Sequence, residues 1–339
     1  EFGITVGEVQ FDYGTAMKRS RGIATQNSKG VEFLFKKNKV AHVRGTGKLV
    51  APRTVAVTGG DGKVERHEAR KALVIATGSR VRGLPQIGLA LDQRVVLSSD
   101  EVLVLEQAPK TMAVVGAGAV GCEFADVFNA FGTKVTLVEV APTILPLEDA
   151  ECSAEVAKSF RKRGIDVLTG AKIGDVAVGP DSASMSVTVG GETRTLTVDK
   201  VLVAAGRAPN VEEIGLVEQG VQLTERGFVK IDARFETTAK GVYAIGDVAG
   251  NQMLAHKGSR EGHVLAELIA GAHTHPVNYH NIPSCTYCHP EVASIGLTEQ
   301  QCKDQQRDYK VGKFPFSANG RARTAGETEG FVKILRDTK

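Results

Sequence analysis

The chain contains 339 residues, of which 42% are hydrophobic and 24% charged, and its formal net charge is +3. This length is sufficient for two or three domains with separate cores. Because the net charge is small and no apolar run is long enough to cross a bilayer, we expect neither a nucleic-acid partner nor a membrane partner.

The N-terminal part of the sequence predicts a helix followed by a small sheet. Apolar and basic residues recur at helical spacing over 12–40, which is typical of one long amphipathic helix that ends before Asn38. Residues 40–43 predict a first strand, residues 45–47 a turn, and residues 54–58 alternate as a second strand. We therefore expect an antiparallel meander over residues 42–70.

Residues 72–76 form a continuous apolar run that predicts a strand buried on both faces. The run leads into Thr77, Gly78 and Ser79. Small residues at the carboxyl end of a parallel strand are compatible with a ligand site, and they are equally compatible with an ordinary turn. Both interpretations stay open on these residues alone.

The motif with the most specific spacing begins at Thr111, where an apolar run is followed by Gly116, Gly118 and Gly121. In a strand–turn–helix, Gly116 permits the tight turn, Gly118 lets the backbone approach a pyrophosphate, and Gly121 lets the helix pack close to the strand. The free amide groups at the helix N-terminus would bind the pyrophosphate. The G-x-G-x-x-G spacing therefore predicts a dinucleotide site.

A helix over Glu123–Phe131 and a second strand, Lys134–Val138, follow this motif, and the strand ends at Glu139. A carboxylate about 20 residues beyond the fingerprint can accept hydrogen bonds from both hydroxyl groups of the adenosine ribose. NADP carries a phosphate on that ribose, which a carboxylate repels and an arginine attracts. Because residues 140–146 include no basic residue, the sequence predicts NAD rather than NADP.

The same domain continues with alternating helix and strand patterns. The sequence predicts a helix over Ala150–Arg163, a third parallel strand over Ile165–Leu168, a polar meander over 173–198, and a closing strand over Val201–Ala205. The closing strand leads into Gly206, again a small residue at the end of a buried strand.

The last third of the chain changes character. A short apolar strand ends in Gly246 and Asp247, and a helix is predicted over Ala255–Ile269. The polar side of that helix is predicted to carry Lys257, Arg260 and Glu261. From Asn281 onward, alternating apolar residues predict an antiparallel sheet.

The five cysteines are odd in number and widely spaced, which favours reduced thiols over a disulfide framework. Cys285 and Cys288 form a C-x-x-C pair. The pair lacks both the helix N-terminus of a redox motif and the second pair of a zinc site. We expect two buried or interfacial thiols, and no metal site.

Taken together, the motifs resemble the family of FAD-dependent pyridine nucleotide-disulfide oxidoreductases, and the match covers essentially the whole chain. Four stretches match in order: Ala76–Ser79, the Gly116–Glu123 fingerprint with Glu139, Val203–Asn210, and Tyr243–Asp247. Further stretches resemble the branch of the family that oxidises dihydrolipoamide: Ile144–Pro146, Met253–His256, Ile282–Tyr287 and His289–Ser294.

The resemblance implies an α/β fold with two Rossmann-like nucleotide-binding domains, an FAD domain and an NAD domain inserted into it, plus part of an α+β dimerisation domain. The implied boundaries are 1–110 for the first part of the FAD-binding domain, 111–232 for the NAD-binding domain, 233–277 for the rest of the FAD-binding domain, and 278–339 for the dimerisation domain.

The resemblance also implies the residues that bind each cofactor. For NAD they are Gly116, Ala117, Gly118, Ala119, Val120, Gly121, Cys122, Glu123, Glu139, Ile173 and Gly206. For FAD, Thr77, Gly78 and Ser79 would line the flavin site, Gly47 would approach the adenine, and Asp247 would bind the ribityl chain. Met253, Leu254, Ala255 and His256 would pack near the isoalloxazine, although a capping or core role for His256 stays open. Glu123 is either a neighbour of the contact between flavin and nicotinamide or a first-turn acidic residue favoured by the helix dipole.

Three features of the family pattern do not occur in this sequence: a first G-x-G-x-x-G near the N-terminus, a C-x-x-x-x-C redox pair, and a C-terminal His-Glu dyad. We therefore expect no catalytic residue of the redox reaction here and no oxidation of dihydrolipoamide by this chain alone. Either the sequence is a partial copy of a longer enzyme, clipped at both ends, or it is a naturally reduced protein that retains only nucleotide binding. The abrupt start at Glu1 and stop at Lys339 favour the first expectation.

For the parent enzyme, the resemblance implies oxidation of protein-bound dihydrolipoamide in 2-oxoacid dehydrogenase complexes, with electrons passing through a disulfide and FAD to NAD. The implied partners are a second copy in a homodimer and the lipoyl domain of such a complex. The implied location is the cytoplasm, or the mitochondrial matrix in a eukaryote. The alternatives are a disulfide reductase of the glutathione or mercuric type and a non-catalytic NAD-binding module.

Overall fold

The computed structural model describes residues 3–338. Within these residues the α-helices are α1 (Tyr13–Lys37), α2 (Ser99–Val102), α3 (Ala119–Ala130), α4 (Ala150–Lys162), α5 (Ala255–Ala270), α6 (Glu299–Asp304) and α7 (Gly320–Ala325). Helix α1 confirms the long N-terminal helix and its end before Asn38. No helix among residues 3–338 combines the length and the apolar composition that a bilayer span requires.

The strands of the same residues are β1 (Thr46–Ala51), β2 (Thr54–Thr58), β3 (Val64–Glu68), β4 (Leu73–Ile75), β5 (Ser79–Val81), β6 (Val96–Leu97), β7 (Thr111–Val115), β8 (Lys134–Val138), β9 (Asp166–Leu168), β10 (Lys172–Val178), β11 (Ala183–Val189), β12 (Glu192–Val198), β13 (Lys200–Val203), β14 (Arg207–Pro209), β15 (Val242–Ala244), β16 (Ser284–Thr286), β17 (Val292–Ser294), β18 (Tyr309–Pro315) and β19 (Phe331–Asp337).

The described residues divide into two compact units. The first unit comprises residues 3–25, 82–206 and 283–338, and the second comprises residues 26–81 and 207–282. The four-part domain division implied by the sequence resemblance stays a prediction.

The first unit is built on a five-stranded sheet with the order β6-β13-β7-β8-β9, in which every adjacent pair is parallel. Helix α3 connects β7 to β8 and α4 connects β8 to β9. The central strands β7 and β8 are largely buried, as the apolar runs of a parallel sheet require. The predicted parallel strands are confirmed, whereas the first helix begins at Ala119 and not at Glu123.

Strands β10, β11 and β12 form an antiparallel sheet in the same unit and confirm the predicted polar meander. Its apolar face is supplied by alternate residues of β11, Ala183, Met185 and Val187, which are buried. They belong to one hydrophobic cluster with Val138 at the end of β8. The period-2 pattern therefore encodes a sheet with one covered face.

In the second unit, β1, β2 and β3 form the predicted antiparallel meander, but its first strand is shifted. Residues 40–43 form no strand, and the predicted turn at 45–47 is wrong because β1 already begins at Thr46. Gly47 pairs with Val57 of β2. A Cβ on Gly45 would lie 2.4 Å from the Thr58 carbonyl oxygen. This glycine therefore allows two strands to approach each other and does not mark a hairpin turn.

Strand β4 pairs in parallel with β15. Its predicted burial on both faces is wrong for Val74, which is 40% exposed, whereas the neighbouring Ile75 is 5% exposed. An apolar run predicts a strand, but burial of each face depends on what other segments cover it.

Helix α5 confirms the predicted helix and ends at Ala270, with Gly271 in the left-handed conformation at φ 75°. The predicted polar side is wrong for Lys257 and Glu261, whose side chains are fully buried as an ion pair. Arg260 is exposed, as predicted.

The C-terminal segment forms the antiparallel ladders β16–β17 and β18–β19, which confirms the antiparallel character predicted from Asn281 onward. The β18–β19 hairpin has full register from Tyr309 opposite Asp337 to Pro315 opposite Phe331.

Candidate dinucleotide sites

The fingerprint lies where the strand order of the parallel sheet reverses. From β7 the chain proceeds to β8 and β9 on one side, whereas β13 lies on the other side of β7. Gly116 directly follows β7, and the Gly116 amide donates to the Val138 carbonyl at 2.9 Å. In open parallel sheets, ligands bind outside the carboxyl ends of the strands at such a switch point.

Each of the three glycines occupies its position for a different structural reason. Gly116 has φ +102°, and a Cβ there would lie 2.6 Å from the Ala204 carbonyl oxygen that follows β13. A Cβ on Gly121 would lie 1.9 Å from the Gly116 carbonyl oxygen, so only glycine lets α3 begin this close to the turn. Gly118, the N-cap of α3, has open space where its Cβ would be. This open helix N-terminus fits a pyrophosphate.

Glu139 is 8% exposed and follows β8, as predicted. Its carboxylate accepts hydrogen bonds from the Ala117 amide at 2.6 Å and from the Ala141 amide at 2.8 Å. These bonds fix both oxygens beside the fingerprint turn, and each oxygen keeps a further lone pair for a ribose hydroxyl. The geometry therefore fits the adenosine end of NAD.

The structure brings most of the other predicted NAD residues to the same region. Ala119, Val120 and Cys122 lie in the first turn of α3 with Gly121, and the Cys122 thiol is 3.4 Å from the Ala117 carbonyl oxygen. Gly206 follows β13, with φ +103° and open space at its Cβ position. Ile173 lies on β10 and packs against the hydrophobic cluster that contains Val138. The assignment of these residues to NAD stays a prediction.

Glu123 is the fifth residue of α3, so the alternative of a first-turn acidic residue is wrong. Its place near the contact between flavin and nicotinamide stays a prediction. One of its carboxylate oxygens accepts a hydrogen bond from the Tyr287 amide at 2.8 Å. In the same region the His289 amide donates to Asp126 at 3.0 Å. The C-x-x-C segment is thus held against α3 by two carboxylates.

The Cys288 thiol of that segment is unlike that of a reactive cysteine. Cys288 is 3% exposed, and burial raises the pKa of its thiol to about 12. Its thiol group lies 3.3 Å from the Pro290 carbonyl oxygen, and Cys285 lies half-buried on β16. The prediction of buried thiols is confirmed for Cys288.

In the second unit, Gly47 and Thr77 line one cleft of about 490 Å³, together with Thr46, Arg80, Asn210, Glu212 and Ile214. The side chains of Thr77 and Asn210 each donate to the other residue's carbonyl oxygen, at 2.7 and 2.8 Å. This reciprocal pair fixes the bend that follows β4. The cleft is large enough to hold the adenosine end of a dinucleotide, which is the part that Gly47 was predicted to approach.

Ser79 and Asp247, separated by 168 positions in sequence, are in direct contact, because the Ser79 hydroxyl donates to an Asp247 carboxylate oxygen at 2.6 Å. Arg207 donates to the Ser79 hydroxyl at 2.6 Å and to the Ser79 carbonyl at 2.8 Å. The second Asp247 oxygen keeps its acceptor capacity for a polyol such as a ribityl chain. The four residues Met253, Leu254, Ala255 and His256 lie at and just before the N-terminus of α5.

Sequence reasoning missed two arginine contacts that shape this site, one with Glu212 and one with Ser79. Arg80 forms a two-bond ion pair with Glu212, at 2.8 and 2.6 Å, and lowers the pKa of Glu212 to about 2. The Arg207 contacts with Ser79 were also missed. The arginine within the Gly-Arg-Ala-Pro-Asn stretch was the available signal, but its partner could not be read from sequence spacing.

These features are typical of a dinucleotide-binding α/β protein. The glycine fingerprint lies at the switch point of a parallel sheet, the Glu139 carboxylate is placed to bind a ribose, and a cleft lies beside Gly47 and Thr77. Family models support this class: that of the pyridine nucleotide-disulphide oxidoreductases matches residues 6–262, and that of their dimerisation domain matches residues 282–339. The chain belongs to the pyridine nucleotide-disulphide oxidoreductase family. The predicted α/β fold, with Rossmann-like domains and a dimerisation domain, is confirmed.

Curated relatives are similar over the whole chain. A dihydrolipoyl dehydrogenase of Mycobacterium tuberculosis is 44% identical over 339 residues, which are 100% of this chain and 72% of the relative. A dihydrolipoyl dehydrogenase of Zymomonas mobilis is 42% identical over 340 residues, which are 99% of this chain and 72% of the relative.

Two solved structures have folds similar to that of this chain over almost its whole length. LpdA of Mycobacterium tuberculosis matches with a TM-score of 0.89 and 26% identity, over 98% of this chain and 72% of that one. The HOCl-induced flavoprotein disulfide reductase RclA of Escherichia coli matches with a TM-score of 0.82 and 26% identity, over 96% of this chain and 73% of that one.

Proposed function

We propose that this chain serves the oxidation of dihydrolipoamide to lipoamide, with electrons passing through a disulfide and FAD to NAD. The observation that carries the proposal is the 42–44% identity to dihydrolipoyl dehydrogenases over 99–100% of the chain. Among its five cysteines, no two are spaced as in C-x-x-x-x-C. We therefore expect no turnover of dihydrolipoamide by this chain alone.

The residues of the chain would bind and orient the two cofactors. The α3 N-terminus at Gly118 would bind the NAD pyrophosphate, and Glu139 would accept from the adenosine ribose. Thr77, Gly78 and Ser79, with Gly47, would hold FAD, while Asp247 would accept from the ribityl hydroxyl groups. When bound, FAD supplies a ring that takes up two electrons and delivers them as hydride to NAD.

The proposed partners follow from the same relatives. The dimerisation-domain match over residues 282–339 supports a homodimer. The dihydrolipoyl substrate class supports docking of a lipoyl domain from a 2-oxoacid dehydrogenase complex. We propose the cytoplasm, or the mitochondrial matrix of a eukaryote, as the location.

The NAD half of the proposal is tested by titrating the purified chain with NADH and NADPH while following nicotinamide fluorescence. We expect tighter binding of NADH, because the Glu139 carboxylate repels the NADP phosphate. Glu139→Ala should weaken NADH binding roughly tenfold or more, since it removes charged hydrogen-bond acceptors, and should reduce the preference for NADH over NADPH. The matched control is Glu192→Ala, which changes an exposed glutamate of β12.

The flavin half is tested by adding FAD to the chain and recording the absorbance of the bound flavin, without oxygen, before and after NADH. We expect bleaching of the flavin band by NADH and a smaller effect of NADPH. Preference for NADPH in both titrations contradicts the proposal and favours a disulfide reductase of the glutathione or mercuric type.

A further inference from the structure

The most deeply buried charges of the second unit lie on α5, on two residues that are not among those predicted to bind FAD. Lys257 and Glu261 are one helical turn apart, both have 0% side-chain exposure, and the Lys257 Nζ lies 3.2 Å from Glu261 Oε2. A buried ion pair costs desolvation free energy and is a weak source of stability. The hydrogen-bond partners of the pair therefore indicate a structural role other than stabilising the fold.

All three donors of the Lys257 ammonium group are used. Besides Glu261, the group donates to the Gly246 and Gly250 carbonyl oxygens, each at 3.0 Å. These two carbonyls lie at the two ends of the short 3-10 turn formed by Gly246–Ala249 and its C-cap Gly250. Lys257 thus holds both ends of one turn.

Glu261, the negatively charged member of the pair, also binds this turn. Its Oε2 accepts from the Gly246 amide at 2.7 Å, and its Oε1 accepts from the Tyr279 hydroxyl at 2.8 Å. Burial and the bond to Glu261 raise the pKa of Tyr279. Gly246 therefore has its amide and its carbonyl group bound to the two members of one buried ion pair.

The turn held in this way carries Asp247, whose side chain accepts from Ser79 at 2.6 Å. The turn also lies close to the helix, because a Cβ on Gly258 would be 3.4 Å from the Gly246 Cα. The turn that carries Asp247 is thus attached to α5 through Gly246 and Gly250, and the Asp247 carboxylate is bound by Ser79. A binding group held by a second set of contacts loses less conformational entropy when its ligand arrives.

We infer that Lys257 and Glu261 are positioning residues, which fix the Gly246–Gly250 turn so that the Asp247 carboxylate is already oriented for the ribityl chain of FAD. This inference rests on the proposed function. It assigns a role to two side chains that do not themselves contact the cofactor.

The test compares Lys257→Met, Glu261→Gln and Tyr279→Phe with the wild-type chain. Lys257→Met keeps the length of the side chain and removes its hydrogen bonds to the turn. The control is Lys240→Met, the same substitution at an exposed position of the second unit. Each variant is titrated with FAD by quenching of flavin fluorescence and with NADH, and amide hydrogen exchange is measured without FAD.

We expect Lys257→Met to weaken FAD binding roughly tenfold or more and to leave NADH affinity unchanged. Amides of residues 246–250 should exchange faster in the absence of FAD, and the visible circular dichroism of the bound flavin should change. Tyr279→Phe should have a smaller effect, because both bonds of the ion pair to Gly246 remain. Lys240→Met should behave as the wild type.

A merely structural role makes a different prediction: thermal stability falls, but FAD affinity stays unchanged at temperatures where the variant is folded. That result overturns the inference. If Lys257→Met does not fold, Glu261→Gln and Tyr279→Phe decide, and unchanged FAD affinity in both overturns it. Failure of the wild-type chain to bind added FAD contradicts the proposed function itself, and the inference falls with it.

Discussion

At the scale of single residues, the fingerprint glycines differ in whether a side chain there would affect ligand binding or folding. Gly118 has φ −72° and open space at its Cβ position, so an alanine fits the backbone there. We expect Gly118→Ala to change the free energy of unfolding by less than about 0.5 kcal/mol. NADH affinity should nevertheless fall roughly tenfold, because the methyl group occupies the space predicted for the pyrophosphate.

Gly121→Ala should behave in the opposite way. Its methyl carbon would lie 1.9 Å from the Gly116 carbonyl oxygen, so the helix must move away from the strand. We expect a loss of about 3 kcal/mol in unfolding free energy, the upper part of the range for overpacking, together with weaker NADH binding. Urea unfolding and NADH titration of both variants check the contrast, with Gly60→Ala, which lies in open space, as control. Equal stability of the two fingerprint variants would contradict this account.

Residue-level prediction from the sequence succeeded where the reason is local. The positions of Gly116, Gly121 and Glu139 follow from a strand, a tight turn and a helix of fixed length, and each of these is encoded by neighbouring residues. It did not find the partner of Glu123, which is the Tyr287 amide 164 positions away. Spacing along the chain carries no information on a contact at that separation.

At the scale of elements, one lysine connects a helix N-terminus to the C-terminal hairpin. Lys333 of β19 is 6% exposed in its side chain and pairs with Asp149, the N-cap of α4, with Glu151, and with Glu299 at the start of α6. Its hydrogen bond, with others from Lys303 and Tyr309, lowers the pKa of Glu299 to about 2. Hydrogen bonds from Lys313 and Lys333 also lower the pKa of Glu151.

These shifts predict how stability depends on pH. A carboxylate with a lowered pKa contributes stability above its unfolded value of about 4.3, and this contribution is lost as pH falls through the folded value. The pKa of Lys333 is raised, so its own charge does not change between pH 2 and 8. We expect Lys333→Met to lower the free energy of unfolding at pH 7, because three carboxylates lose the ammonium group that pairs with them. The difference from wild type should shrink as pH falls from about 5 towards 2.

Chemical unfolding of both proteins at several pH values measures this dependence. Lys158→Met provides the control, since that lysine is 74% exposed and pairs with Glu155 on the surface of α4. Exposed pairs of this kind contribute less than about 1 kcal/mol. A difference between Lys333→Met and wild type that stays constant from pH 7 to pH 2 would sink the proposed charge linkage.

Element-level prediction shows the same division between local and distant causes. Four strands of the parallel sheet and the 173–198 meander were predicted correctly, because their apolar patterns are continuous or strictly alternating. The two-residue strand β6 was missed. The first strand of the N-terminal meander was misplaced. In the sequence Gly45 indicates a turn, whereas in the structure it allows the chain at the start of β1 to pass close to Thr58. Lys257 and Glu261 were assigned to a solvated face, because a buried ion pair at i,i+4 has the same spacing as an exposed one.

At the scale of the whole molecule, the predicted cofactor residues sort by unit. Every residue predicted to bind NAD lies in the first unit, and every residue predicted to bind FAD lies in the second. The second unit is discontinuous in sequence, since Thr77–Ser79 and Asp247 come from its two segments. The resemblance implies an FAD-binding domain interrupted by an NAD-binding domain, which composition and local patterns could not indicate. That domain division stays a prediction.

This separation predicts that each ligand protects one unit against local opening. A ligand that binds the folded unit stabilises it by RT ln(1 + [L]/Kd), which is about 2.7 kcal/mol at a hundredfold excess over Kd. In hydrogen exchange, NADH should slow the amides of Gly116–Glu123 and Ala141, and FAD should slow those of Thr77–Ser79 and Gly246–Asp247. In Gly118→Ala, NADH protection should weaken while FAD protection persists. Protection of the second unit's amides by NADH alone, in the absence of FAD, would show that the assignment of ligands to units is wrong.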